Sequence, residues 1–448
     1  MKYIKTSWKY IFFFILFMLI SNFFSFTTND LIWFNTKNIN NFLSLSKGYV
    51  LSSALTILLM HVKVIRIITY GILSVCIFEL LKRTVNKKNN TLSFIAIFIF
   101  FLTNTEIITK SYISISSFCT NFISSILVLI IISYLTKDTL YKLNKYIIFI
   151  LGLVSASFTP LISLLLFITV GIISLYNDIK KTPDKSINIL LGGISLGFII
   201  ELILILKSGA VFTLPNITNN LLYNLIPMLY NVNFLIQLLL IAFLLFLSIK
   251  IYIKGNRTKR VYVILSIGII ATYSFTNLLS QNIYLNYIML IFYTIASIFI
   301  LLNANNSIRF KNKIKTYYLF KIVYLLILVF TPNLNEAHIL FPILIDILII
   351  LELFNYVFPN NFLKVPWLVI SLLILISNIY IYKNIYSRNI ELKNYIKHNL
   401  ECNILKIQIP SKYQNDYMNN YIPKTLKDKE NYKNYLEIES DDEYYIEY

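Results

Sequence analysis

Acidic side chains are scarce in this chain, 21 Asp and Glu among 448 residues, and those that interrupt apolar stretches are its chemical candidates. Asp30 stands in Phe26-Thr27-Thr28-Asn29-Asp30-Leu31-Ile32-Trp33-Phe34. A carboxylate beside apolar surface is suited to act as a base, and the same place also suits a helix cap. Glu106, in Thr103-Asn104-Thr105-Glu106, can hold an acceptor or a metal, or simply start a helix. Lys63 and Arg66 are spaced i, i+3 and so share a helical face. Their cations suit a lipid phosphate or snorkel to headgroups. Glu336 and His338, in Asn335-Glu336-Ala337-His338-Ile339-Leu340-Phe341-Pro342, can bind a hydroxylated ligand or a phosphate. Asp346, two turns further on, is placed to line the same cavity.

Glu201, Lys321, Asp346 and Glu352 fall inside apolar runs, where charges are rare and usually face a cavity or a partner. Glu79 and Lys321 are near enough to a run's end to snorkel and carry no functional weight. There is no P-loop, GxSxG, HExxH or GxGxxG, so nucleotide-driven pumping and hydrolase triads have no support. Cys76, Cys119 and Cys402 form no CxxC or Cys/His pattern and imply no disulfide framework or zinc site.

The elements that must position these residues are membrane helices. The chain is 57% hydrophobic and only 14% charged, against about 25% charged in soluble domains, and its mean hydropathy is +0.69. A soluble globular class is excluded. The 16% aromatic content with 10 Gly and 10 Pro excludes disorder and collagen-like repeats as well. Apolar runs at 10–26, 64–82, 91–105, 117–136, 145–158, 160–176, 188–206, 232–253, 261–279, 286–303, 316–331, 340–358 and 365–383 predict an all-α polytopic transmembrane protein with about 11–14 spans. The pair around Thr159-Pro160 reads either as one kinked helix or as a tight hairpin.

The formal charge is +19. Sorted by alternate loops, 23 basic residues fall on the side of Lys2, Lys5 and Lys9, against six on the other. The positive-inside rule then puts the N-terminus in the cytoplasm and the C-terminus outside, in a multi-pass cell-membrane protein. The surplus is explained by anionic membrane lipids and implies no nucleic acid. Residues 1–383 form the membrane domain. Residues 384–448, with nine basic and eleven acidic residues, form a short extracytoplasmic tail or cap, in which Ile404–Ile409 alternates like a strand.

This layout resembles the GT-C superfamily of polytopic glycosyltransferases, which use lipid-phosphate-linked sugars. It comprises a first span, an outer loop with an acid, an amphipathic stretch (Leu43–Met60), a second span, a second outer acid, many helices and an outer tail. Within the superfamily it is most similar to an uncharacterised bacterial family related to lipid-phosphate-sugar transferases. The similarity at residue level lies in Thr28-Asn29-Asp30, in Ser46-Lys47-Gly48-Tyr49-Val50-Leu51, and in His338-Ile339-Leu340-Phe341-Pro342. A single Asp stands where two acids are usual, and the late loop has no Arg. The resemblance implies inverting transfer from a polyprenyl-phosphate-linked sugar to a cell-surface acceptor. Asp30 would be the catalytic base and Glu106 would assist the acceptor or a metal. Lys63, Arg66 or a divalent metal (Mg or Mn) would offset the leaving phosphate. A transporter or flippase of lipid-linked saccharides, or a surface polysaccharide polymerase, fits a similar helix count.

Overall fold

The computed structural model describes residues 4–34, 42, 46, 49–86, 88–103, 105–136, 144–208, 217–231, 234–279, 283–304, 307–331, 334–358, 364–402, 406–410, 421–423, 426–436 and 445–447. Lys47-Gly48 and the acidic run at 437–443 lie outside them. The protein is an all-α polytopic membrane protein in which a helix occupies each predicted apolar run. Among the described residues eight helices are long and apolar enough to cross a bilayer, and Lys9–Asn22, Val50–His61, Thr91–Phe101 and Lys145–Ala156 are shorter apolar ones. The ambiguity at Thr159-Pro160 resolves into a hairpin, because Pro160 takes the first position of the Pro160–Ile179 helix, where its missing N–H removes no helical bond.

Almost every side chain of the Leu340–Val357 helix is buried, whereas most of the other long helices, the Ile115–Leu135 segment excepted, expose broad apolar faces. It is the central post of the bundle. Its charges are paired: Glu352 lies 2.6 Å from Lys313 and Asp346 lies 2.6 Å from Lys321. The snorkelling assigned to Lys321 is thereby corrected, since the central helix offers it a carboxylate nearer than the headgroups. The Lys313 ammonium also donates to the carbonyls of Thr84 and Val85, which end the Lys63–Val85 helix.

Contacts sort the loops into two ends. At one, Lys9 and Lys82 both donate to Asn90, Asn86 to Asn355, and Lys250 to Tyr356. At the other, Phe26 and Phe34 pack on Tyr435 of the Leu426–Leu436 helix, with ring centroids 5.9 and 5.4 Å apart. The tail therefore rests on the segment that carries Asp30. The last long helix runs unbroken from Lys364 to Glu401, past the expected boundary at 383. Its 38 residues reach about 57 Å, well beyond a hydrocarbon core of about 30 Å. Lys406–Gln408 pairs in parallel with Tyr445–Glu447, so the alternating tail segment does form a strand.

Candidate functional site

Thr27 precedes the Thr28–Phe34 helix, and the Asp30 carboxylate folds back onto the Thr27 N–H and hydroxyl, which donate to Oδ2 at 2.9 and 2.8 Å. This is one half of a capping box. On the other oxygen, Oδ1 accepts from the Ser114 hydroxyl at 3.0 Å and from the Ser116 N–H and hydroxyl, both at 2.9 Å. The hydroxyls reach it because two π-helical turns, Thr109–Ile113 and Phe118–Ile123, flank an extended break at Ser114 (φ −59°, ψ 125°). Such wide turns concentrate at functional sites. Asp30 is fully buried, and five donors hold it.

Beside it lies a polar cavity of about 210 Å³. Thr27 and Thr28 form one wall and Thr109, Lys110, Ser114 and Ser117 a second, with Asn335 closing a third. Asp30 does not line this cavity. It meets it through the Thr27 and Ser114 hydroxyls, which do. Lys110 reaches across to Glu336 at 2.8 Å, so residues 27–30, 109–117 and 335–336 converge here. A hydroxyl-rich wall with one ammonium suits a polyhydroxylated or phosphorylated group.

The other sequence candidates are placed as follows. Lys63 is exposed while Arg66 is buried. The expected shared face splits because the helix begins at Lys63, after a break at Val62, and the edge of its buried face runs between the two. Arg66 stacks over the Phe26 ring, 5.1 Å from its centroid, within electrostatic range of Tyr70, Asp30, Tyr435 and Tyr386. Among the described residues nothing hydrogen-bonds or ion-pairs with its guanidinium, and its buried Nε has no partner. Tyr421 of the tail is buried there as well. Burial, with the Asp30 carboxylate nearby, pushes its phenol above the ordinary value, so it stays neutral.

His338 caps its own short helix, its Nδ1 accepting from the Asn335 N–H at 3.2 Å, and it lines neither cavity described here. Asp346 does not share the polar cavity. With Lys321 it faces a separate groove of about 350 Å³ whose other walls are mostly Leu, Ile and Tyr side chains. The shared-cavity expectation fails because Asp346 lies on the side of the central helix turned toward the Ile308–Val329 helix. Glu106 is the second residue of the Thr105–Ile108 turn, and its side chain lies outside the described residues.

The described carboxylates do not fit a divalent ion. Asp30 has both oxygens occupied, Glu336 and Asp346 are tied to lysines, and no three His, Cys, Asp or Glu side chains gather among the described residues. Sequence reasoning missed Lys110, Ser114 and Ser116. The available signal was the hydroxyl run Thr109-Lys110-Ser111-Tyr112-Ile113-Ser114-Ile115-Ser116-Ser117, dense for so apolar a chain. No protein-family model matches the chain. No curated protein matches it, and neither does any solved structure.

Proposed function

We propose that the chain is a GT-C-like membrane glycosyltransferase, moving a sugar from a polyprenyl-phosphate carrier to a hydroxyl acceptor on the outer face. The observation that carries this reading is the convergence of residues 27–30, 109–117 and 335–336 on one polar cavity, near a buried arginine whose Nε has no hydrogen-bond partner among the described residues. Arg66 is the group to receive the carrier phosphate, since a guanidinium matches phosphate geometry and gains most where water is excluded. Lys110 and the hydroxyl wall would hold the sugar or the acceptor. The apolar groove by Lys321 has the lining a hydrocarbon chain needs.

In this reading the acceptor hydroxyl binds Ser114 Oγ, and as its oxygen attacks the anomeric carbon its proton passes to Ser114 while the Ser114 proton passes to Asp30. The bond from the anomeric carbon to the phosphate oxygen breaks, and the charge that develops there is balanced by Arg66. Glu106, on the adjoining turn, would assist the acceptor.

Purified protein titrated with a polyprenyl phosphate is expected to gain thermal stability saturably, by about 2.7 kcal/mol at a hundredfold excess over Kd. The corresponding polyprenol should not do this, and neither should the phosphate on Arg66→Gln. Equal stabilisation by the alcohol would remove the phosphate role from Arg66. The orientation proposed from the loop charges, with the capped end outside, is tested at Cys402, which is exposed at the end of the last long helix. An impermeant maleimide should label it in intact cells. Labelling only after permeabilisation would reverse the orientation.

A further inference from the structure

Glu201 takes no part in this chemistry, yet it is 1% exposed and both its carboxylate oxygens lack a hydrogen-bond partner among the described residues. It lies in the Lys185–Lys207 helix, about 9 Å along the axis from Lys207, and therefore within the apolar part of the span. A charge there is costly unless something neutralises it.

The Tyr49 phenol lies within electrostatic range of Glu201, and two packing registers locate what else faces it. The Lys145–Ala156 helix runs against the Lys185–Lys207 helix through glycines, so close that a Cβ at Gly193 would stand 2.2 Å from the Phe149 carbonyl oxygen and one at Gly197 would stand 2.9 Å from the Ala156 Cβ. This spacing is the small-xxx-small packing of membrane helices. One turn beyond Gly197, Glu201 comes to the level of the turn after Ala156. On the antiparallel Pro160–Ile179 helix, Ser174 bonds Asn188 at 2.7 Å, and Phe167 stacks on Phe198 with centroids 5.0 Å apart. Extending that register by one turn sets Ser163 opposite Glu201, with Thr159 just above.

Thr159 and Ser163 are themselves buried, and their hydroxyls have no partner among the described residues. Thr159 occupies the N-cap position without capping, although a hydroxyl there ordinarily binds a free N–H. Lys145–Ala156 has 12 residues and spans about 18 Å, so this turn sits inside a core of about 30 Å. The negative end of that helix and the positive end of the Pro160–Ile179 helix meet there and offset each other, which leaves the carboxylate as the net charge.

We propose that Glu201, Thr159 and Ser163 form an intramembrane site for a monovalent alkali cation. Four buried oxygens without hydrogen-bond partners are what a hard cation needs, since ligands that share an ion stand farther apart than hydrogen-bonded atoms. One carboxylate neutralises one monovalent charge, whereas a divalent ion would leave net charge in hydrocarbon. Interrupted membrane helices hold sodium at unwound carbonyls and helix C-terminal ends, and the Lys145–Ala156 helix ends at this turn. The proposal stands independently of the transferase reading.

The test replaces N-methylglucamine chloride with NaCl at constant ionic strength and follows Tm of the purified protein, with LiCl and KCl in parallel. Wild type should show a saturable rise of roughly 2 °C or more. Glu201→Gln, checked for folding by gel filtration, should show none, and Thr159→Val should shift the half-saturating concentration several-fold upward. An apolar carbodiimide should modify Glu201, and Na+ should protect it. The proposal is overturned if wild type shows no cation-dependent rise, if Glu201→Gln retains the rise, or if carbodiimide labelling is indifferent to all three cations, which would make Glu201 a plainly protonated carboxyl.

Discussion

Asp30→Ala is expected to destabilise the protein by about 3 kcal/mol, since the five donors of Thr27, Ser114 and Ser116 lose their shared carboxylate in a buried site and only the hydroxyls keep weaker contacts with one another. Asp30→Asn keeps one acceptor oxygen but turns an amide toward donors, and about 1–3 kcal/mol is expected. Its effect on sugar transfer should be larger, roughly a 100-fold loss or more, because an amide cannot take a proton. Ser114→Ala separates the two roles. It removes one donor of five and the hydroxyl between cavity and carboxylate, so transfer should fall steeply while Tm moves little. Thermal melts and transfer of radiolabelled sugar from polyprenyl phosphate, measured on the three variants, check this. Full transfer by Asp30→Asn would take the base role from Asp30, and a melt of Asp30→Ala at the wild-type temperature would mean that the five donors are satisfied in another way.

Lys313→Met is expected to cost about 3–5 kcal/mol, because it strands Glu352 in the centre of the bundle with the Tyr317 hydroxyl, 3.2 Å away, as its one remaining hydrogen-bond donor among the described residues. The ammonium also holds the carbonyls of Thr84 and Val85, so the end of the Lys63–Val85 helix loses its tie to the central helix. Removing both charges, as in Lys313→Met with Glu352→Leu, should restore most of the loss, since an apolar pair of similar volume carries no desolvation cost. Denaturation of the single and double variants in one detergent gives the comparison. A double variant no more stable than the single one would show that carbonyl capping, rather than the ion pair, is what Lys313 supplies.

The helix positions were legible in the sequence because each is a continuous apolar run bounded by Lys, Asn or Pro. Asp30 was also conspicuous, since acids beside apolar segments stand out in a chain with 21 of them; of the late segment only Asn335 and Glu336 reach the polar cavity or its lysine. What those residues touch was not legible. Thr27 and Asp30 form a local pattern, but Ser114 and Ser116 are more than eighty positions away and reach Asp30 only through the break at Ser114. The i, i+3 spacing of Lys63 and Arg66 suggested a pair, but at 60° apart two side chains can straddle the border between lipid and interior, and these do.

By itself the sequence determined that this is a bundle of membrane helices, roughly where each lies along the chain, and which few charges lie among them. Only the tertiary structure decided that Leu340–Val357 is the central helix, that Asp346 and Glu352 are neutralised by Lys321 and Lys313, and that Arg66 and Glu201 have no such partner among the described residues. The physical reason is that hydrocarbon and protein interior are equally apolar. Hydropathy therefore shows that a helix leaves water but does not distinguish a lipid-facing side from one facing the bundle, and which charges meet depends on that distinction.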